Sequence, residues 1–294
     1  LNWDSIFSKK DLLKILKLKW YWCLVKKVEN PEKYWIFKQD DLWNAIQIIE
    51  KPEEFIWNLA NLWVYKFSSE IVKISENIKL SKRWEYEITD SINEFLKNNK
   101  FKLIEINWDF LDISYPWDIL WANKCFLDKI TKSQTKWKIE KNVQLKWNII
   151  IEKWVIIKSW TYIEWNVYIW KNTIIWPNAY IRWTTVIWEN SFIWNNVEIK
   201  NSSIWDNTKI SHLSYIWDSV IWNNVNIWCW FISSNLRHDK NNIKVLINWN
   251  LIDTKLKKFW IIIWDEVKTW IKTISYPWRV IENNTYTIPW QIIK

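Results

Sequence analysis

The chain has 294 residues, of which 32 are tryptophan and none is glycine or methionine. Glycine ordinarily makes up about 7% of a protein, so on the order of 20 are missing, and the left-handed turn positions that glycine fills cheaply must be supplied by something else. The 49% hydrophobic and 25% charged content is globular, no apolar run reaches the eighteen residues of a membrane span, no basic-then-apolar leader opens the chain, and a net charge of +9 favours an anionic partner, nucleic acid or phosphorylated small molecule.

In chain order, helical patterns occupy Leu12–Leu18, Glu70–Ile78 and Glu87–Leu96, the last preceded by a loop at Ser81–Arg83. Apolar strand-like runs lie at Cys23–Val28, Ala45–Ile49, Leu62–Phe67 and Phe101–Ile106. Alternation of the two predicts an α/β class for the first part. The polar stretch Lys129–Lys138 predicts a junction, giving domains 1–130 and 131–294. Cys23, Cys125 and Cys229 are odd in number, far apart and without CxxC spacing, which predicts reduced thiols and a cytoplasmic protein. The chain starts at Leu1 without a methionine, so its true N-terminus is expected upstream.

Beyond the junction an internal repeat appears. Aliphatic residues recur every six positions from Leu145 through Ile151, Ile157, Ile163, Ile169, Ile175, Ile181, Ile187 and Ile193 to Ile199. The series continues at Ile204, Ile210, Ile216, Ile221 and Ile227, with two steps of five. Two places before an anchor stands a small or β-branched residue, as at Val143, Thr161, Thr173, Ala179, Ser191, Val197, Thr208, Ser214 and Val225. A period of six fits neither a helix nor a simple alternating strand. It predicts short strands turned at regular corners, three to a coil, in a left-handed parallel β-helix of hexapeptide repeats.

Tryptophan stands where turns belong, as in Asn2-Trp3-Asp4, Asn107-Trp108-Asp109 and Pro289-Trp290, and directly after anchors at 170, 176, 188, 194, 205, 217, 222 and 228. Each such place becomes an ordinary turn if the residue is glycine. The triplet UGA is read as tryptophan in one genetic code and as glycine in another, so tryptophan is expected to mark glycine throughout, except at Trp117. A literal indole after each anchor is expected to clash in coil after coil.

With tryptophan read as glycine, Asn2-Trp3-Asp4, Asn30-Pro31-Glu32-Lys33-Tyr34-Trp35, Ile49-Glu50-Lys51-Pro52, Asn61-Leu62-Trp63-Val64-Tyr65, Glu85-Tyr86-Glu87-Ile88-Thr89-Asp90 and Leu111-Asp112 resemble ordered motifs of sugar-1-phosphate nucleotidylyltransferases. Tyr115-Pro116-Trp117-Asp118 matches a stretch in which that family has a true tryptophan. The second part, through Tyr180-Ile181-Arg182, Val197-Glu198-Ile199-Lys200, His212-Leu213-Ser214-Tyr215 and Val225-Asn226-Ile227, resembles the acetyltransferase domain of the bifunctional UDP-N-acetylglucosamine pyrophosphorylase/glucosamine-1-phosphate N-acetyltransferases. Asn235-Leu236-Arg237-His238-Asp239 is similar to the thymidylyltransferase-like branch, and departs from the tyrosine-bearing form of the best-known members. The family's opening glycine-rich, phosphate-cradling loop has no counterpart here, so this segment is not expected to perform nucleotidyl transfer alone.

The resemblance implies two transferase sites. In the first, Asp4 and Asp112 would hold Mg²⁺, while Tyr34, Glu50, Lys51 and Asn61 would line the sugar phosphate pocket. In the second, His212 would act as general base toward the amine of a hexosamine 1-phosphate, a task suited to imidazole near neutral pH. Arg182 and Lys200 would hold its phosphate. Glu198, Tyr215 and Asn226 would orient the sugar, and Asn235 would polarise the acetyl group. Cys229 would pack close to the thioester of acetyl-CoA, and Lys244 would contact its phosphates. His238 is read as surface. The implied partners are a nucleoside triphosphate, a sugar 1-phosphate and acetyl-CoA, with neither nucleic acid nor membrane, in a homotrimer. Two other readings compete: a thymidylyltransferase-like enzyme whose β-helix only assembles it, and a non-enzymatic, tryptophan-rich binding protein.

Overall fold

The computed structural model describes residues 5–6, 9–81, 84–106, 111–135, 137–234, 236–247 and 250–294. The chain divides into two compact units, Leu1–Asp112 and Ile113–Lys294.

The first unit runs β1 (Ser5–Ile6), α1 (Lys9–Leu16), β2 (Tyr21–Lys27), a 3-10 turn (Pro31–Lys33), β3 (Trp35–Gln39), β4 (Ala45–Glu50), β5 (Leu59–Lys66), α2 (Glu70–Ser75), α3 (Ile88–Asn98), β6 (Phe101–Glu105) and β7 (Leu111–Asp112). Five strands form one mixed sheet in the order β4-β3-β5-β2-β6. The interior strand β2 is antiparallel to β5 and parallel to β6. Its side chains alternate between two covered faces. Cys23 and Val25 pack beneath Ile92 and Phe95 of α3. Trp22 and Leu24 pack with Ile15 of α1 on the other side. Burial on both faces explains why this strand reads as a continuous apolar run. The predicted α/β character holds, with β3 and the short β1–β7 pair added to the predicted strands.

The second unit begins with α4 (Asp118–Leu127), which the sequence pattern did not mark, and continues as a parallel β-helix. Strands of two or three residues stack in sheets that run the length of the coil. On one face Tyr162 lies opposite Tyr180, Tyr180 opposite Glu198, and Glu198 opposite Tyr215. The first two steps are three hexads each. The third is one residue shorter, which is what a five-residue step produces. Every anchor from Ile151 to Ile227 is fully buried. The small residues ahead of them fill the corners, and their hydroxyls are used: Thr161, Thr173 and Thr208 donate to the carbonyls of Trp176, Trp188 and Trp222 at 2.9–3.1 Å. Threonine therefore stands there as a buried hydroxyl with a partner, in addition to its size.

After Ile227 the hexads break, and an antiparallel hairpin, Lys244–Ile247 with Asn250–Asp253, is inserted. The coils resume at Ile261–Ile263, which stacks directly on Val220–Ile221. Helix α4 covers one face of the coil: Leu127 packs on Ile150, Tyr168 and Val186, and Ile119 and Leu120 pack with Val220 and Ile262. Trp117 is buried at the start of α4, stacked on Tyr115 with ring centroids 4.6 Å apart.

The clash expected after each anchor does not occur. The indoles are half-buried and lie ring against ring from coil to coil, Trp170 on Trp188, Trp188 on Trp205, Trp205 on Trp222 and Trp222 on Trp264, at 4.5–5.2 Å. Trp260, expected to mark a glycine, has a fully buried ring whose Nε1 donates to Ser275 Oγ at 3.0 Å.

Candidate functional site

The repeat places the candidate acetyltransfer residues. Sheet register sets Arg182, Lys200 and Trp217 side by side on one coil face, with Tyr180, Glu198 and Tyr215 in the neighbouring column. Side chains in the two columns interlock: the Arg182 guanidinium donates to Glu198 Oε1 at 2.6 Å and lies 4.8 Å from the Tyr180 ring. The Tyr180 hydroxyl in turn donates to the carboxylate of the buried Glu164, and burial followed by that carboxylate pushes the phenol up to about 12. Arg182 keeps Nε buried without a partner.

Lys200 is 5% exposed, and its ammonium lies 4.4 Å from the centroids of both Trp183 and Trp217. Burial lowers its pKa, and Lys258 and Arg182 add to the effect, against the opposing pull of Asp218 and Glu198. Tyr215 is raised, first by burial and then by the Glu198 carboxylate. Two cations and a carboxylate, with Lys200 buried and Arg182 and Glu198 half-buried, thus stand together on the coil ladder.

His212 stands at the corner leading into the strand Tyr215–Trp217. Its Nδ1 contacts Asn195 Oδ1 from the same corner of the preceding coil, and its ring lies 5.2 Å from that of Trp194. Sequence reasoning did not single out Asn195; the signal was its position one coil, seventeen residues, before the histidine. Asn226 falls on a different face. It pairs in register with Lys209 and Lys268 and lines a cavity of about 570 Å³ with Phe192. Cys229 is half-buried in the following corner. Lys244 opens onto a cavity of about 540 Å³ that also carries Arg237, Lys240, Lys257 and Asp253. Arg237 there makes a two-pronged pair with Asp239, at 2.6 and 2.7 Å, which holds that carboxyl well below its usual range. His238 is exposed, and Asn235 lies outside the described residues. Arg182, Glu198, Lys200 and Tyr215 therefore come together on one coil face, His212 stands at the corner before Tyr215 against Asn195 and Trp194, Asn226 lies on another face, and Lys244 lines a cavity with other residues.

In the first unit Tyr34, Glu50 and Lys51 gather at one end of the β3–β4 pair. Glu50 is in register with Trp35, the Lys51 N–H donates to the Tyr34 carbonyl at 2.9 Å, and the Lys51 ammonium lies 5.3 Å from the Trp35 ring. Asn61 is adjacent through the Trp35–Trp63 ring contact. Its side chain is buried, donating to Tyr65 Oη at 2.5 Å and accepting from Cys23 Sγ at 3.3 Å. The backbone of Asp112 pairs with Ser5, the residue that follows Asp4; Asp4 and the side chain of Asp112 lie outside the described residues. Among those described, no group of three or more acidic, histidine or cysteine side chains is arranged for a metal, and no helix is long and apolar enough to cross a membrane.

Residues 17–129 match the nucleotidyl transferase family model. Across both units the chain is 42% identical to the bifunctional protein GlmU of Methanocaldococcus jannaschii, over 97% of its own length and 69% of the relative's. It is 39% identical to a bifunctional sugar-1-phosphate nucleotidylyltransferase/acetyltransferase of Sulfurisphaera tokodaii, covering 93% of this chain and 69% of that one. This chain belongs to the bifunctional sugar-1-phosphate nucleotidylyltransferase/acetyltransferase family. A GlmU of Methanococcus maripaludis is 44% identical over 89% of this chain and 64% of its own. The nucleotidyl transferase match runs past Asp112, where the sheet unit ends, so its last stretch, including α4, packs with the coils.

Proposed function

We propose that the β-helix of this family member transfers the acetyl group of acetyl-CoA to the amine of a hexosamine 1-phosphate. The nucleotidyltransferase part, 1–130, would join a sugar 1-phosphate to a nucleotide, and 131–294 would carry acetyl transfer. The register that stacks Arg182 over Lys200 and Glu198 beside Tyr215, in the strand that His212 leads into, carries this reading. Arg182 and Lys200 hold the phosphate, and Glu198 and Tyr215 receive the sugar hydroxyls. His212 takes a proton from the ammonium; the freed amine attacks the acetyl carbon, and the carbon–sulfur bond breaks to release the CoA thiolate. Asn235 stabilises the developing oxyanion. Lys244 and the three cations around it, Arg237, Lys240 and Lys257, suit the CoA phosphates, and Cys229 serves as a small packed residue. Asn226, on another face, meets the sugar of a neighbouring copy in a homotrimer. In the first unit Tyr34, Glu50, Lys51 and Asn61 contact the sugar phosphate. Asp4 and Asp112 offer the hard carboxylate oxygens that Mg²⁺ prefers, and the ion would neutralise nucleotide phosphates when bound. A cytoplasmic setting fits three cysteines that are odd in number and far apart in the chain.

The test is acetyl transfer to glucosamine 1-phosphate and galactosamine 1-phosphate, with wild type beside His212→Ala. Loss of a general base predicts a fall of about 10²–10⁴-fold in kcat. Equal rates would remove the acetyltransferase claim and leave the coil as an assembly module.

A further inference from the structure

We infer that tryptophans at left-handed positions stand where the protein made in its own cell carries glycine, UGA being decoded as glycine there. Eleven of them, Trp43, Trp63, Trp84, Trp147, Trp154, Trp160, Trp165, Trp183, Trp230, Trp278 and Trp290, have φ between 44 and 67°. For a bulky residue this region is a steric outlier; glycine enters it freely and asparagine at small cost. The coil makes the equivalence visible. One corner column reads Asn142, Trp160, Asn178, Asn196 and later Trp230, all left-handed; another reads Trp154, Asn172, Asn190, Asn207 and Asn224. Leu213 and Lys272 in the first column and Glu266 in the second are left-handed too, so some corners admit a larger side chain. Eleven indoles in a chain with no glycine are of a different order. Outside the left-handed set, the indole nitrogens of Trp176, Trp188, Trp205, Trp217 and Trp222, which directly follow anchors, are buried without partners. Trp117 is the contrast, with φ of −72° and a ring packed on Tyr115 and Phe259. It is tryptophan in the cell as well.

The consequence reaches the site. Trp183 lies 5.3 Å from the Arg182 guanidinium and 4.4 Å from the Lys200 ammonium. Glycine there opens one wall over both cations. Peptide masses of the protein isolated from its own source decide the sequence claim: glycine at 147, 154, 160, 165 and 183 with tryptophan at 117 is expected, and indole at those five overturns it. Recombinant chains add a second measurement, with glycine at all eleven positions expected to raise the unfolding midpoint and a fall or no change counting against the claim. Inorganic phosphate binds Trp183→Gly more tightly than the tryptophan form if the groove opens; equal affinity overturns that consequence. None of these readouts depends on acetyl transfer.

A different observation carries a second proposal, which rests on reading His212 as the base. The geometry points to Asn195 as the residue that sets the histidine's tautomer. Its Oδ1 faces Nδ1 of His212, and an amide oxygen only accepts, so Nδ1 carries the hydrogen and Nε2 keeps the lone pair that takes the substrate proton. Asn195 is a positioning residue: it acts through the imidazole. The test is nitrogen NMR of ¹⁵N-histidine protein together with steady-state kinetics. Wild type and Asn195→Asp are expected to show the Nδ1–H tautomer. Asn195→Leu should show a mixture, with kcat reduced about tenfold or more, part of what a general base supplies, and KM for the sugar phosphate unchanged. An unaltered tautomer in Asn195→Leu overturns the proposal. If His212→Ala keeps full acetyl transfer, the base reading fails, and the tautomer result still stands as a statement about Asn195.

Discussion

The two units hold their candidate sites in opposite ways. In the sheet unit each residue has its own local device: Tyr34 follows the 3-10 turn at Pro31–Lys33, Glu50 ends β4, and Lys51 adopts φ of 37° to carry the chain away. In the coil unit Arg182, Lys200, Glu198 and Tyr215 share one device, the vertical register of the coil. A local device fails locally. A shared register transmits any change in one rung to the rungs above and below it, as expected for a quasi-one-dimensional repeat.

The largest test of that contrast is a cavity in each core. Ile193 is a fully buried anchor, and Phe37 is a fully buried residue of the sheet. Ile193→Ala is expected to cost roughly 2–5 kcal/mol and Phe37→Ala roughly 3–5 kcal/mol. Followed by calorimetry, Ile193→Ala should lower the transition of the coil unit and weaken phosphate binding at Arg182, on another face of the coil, while Phe37→Ala leaves phosphate binding alone. Phosphate binding that ignores Ile193→Ala would break the comparison.

Breaking one ion pair comes next. Arg182→Ala leaves Glu198 without its 2.6 Å partner. Loss of a charged hydrogen bond costs roughly 1.5–3 kcal/mol, and the KM for a sugar phosphate is expected to rise with it. A cycle with Glu198→Gln separates pairing from phosphate binding: pairing alone predicts that the double variant recovers stability, while KM stays high.

A smaller effect, in the chain that carries Trp183, is pH dependence from Lys200. Burial disfavours its ammonium in the folded chain. Below its ordinary value of 10.5, the unfolded chain then holds the proton over an interval in which the folded chain has released it, and stability rises with pH through that interval. Phosphate binding falls over the same interval, because it uses the charged form. Lys200→Met should flatten the stability slope; an unchanged slope would assign it to another group.

What the sequence made legible follows from the same contrast. The anchors repeat one residue type at one spacing, so a misread position is outvoted by its neighbours and the coil was legible from spacing, whereas Arg182, Glu198, Lys200 and Tyr215 were singled out through the family resemblance. Strand β3 was not legible, because Trp35 reads as a turn residue and Lys38 and Gln39 are polar. The hairpin at Lys244–Ile247 interrupts the hexads and shares none of their pattern. Asn195 looks like any other corner asparagine until the coil sets it beside His212. The separation of Asn226 from the Arg182 face was hidden too, since consecutive hexads lie on different faces.

The smallest effect tests whether a corner in the coil is set by its own residue. Asn190 has φ of 57°, and its Oδ1 accepts from Asn172 Nδ2 at 3.0 Å in the coil below. Asn190→Ala places a Cβ with no local hydrogen bond in the left-handed region, at a cost of about 1 kcal/mol or slightly more. Asn190→Gly relieves the backbone but gives up the ladder contact and adds freedom to the unfolded chain, so the two effects nearly cancel. Equilibrium unfolding should therefore rank wild type and Asn190→Gly close together, with Asn190→Ala below both. If alanine matched glycine, left-handed geometry would not limit the corners, and the side-chain ladder of asparagines would be what sets them.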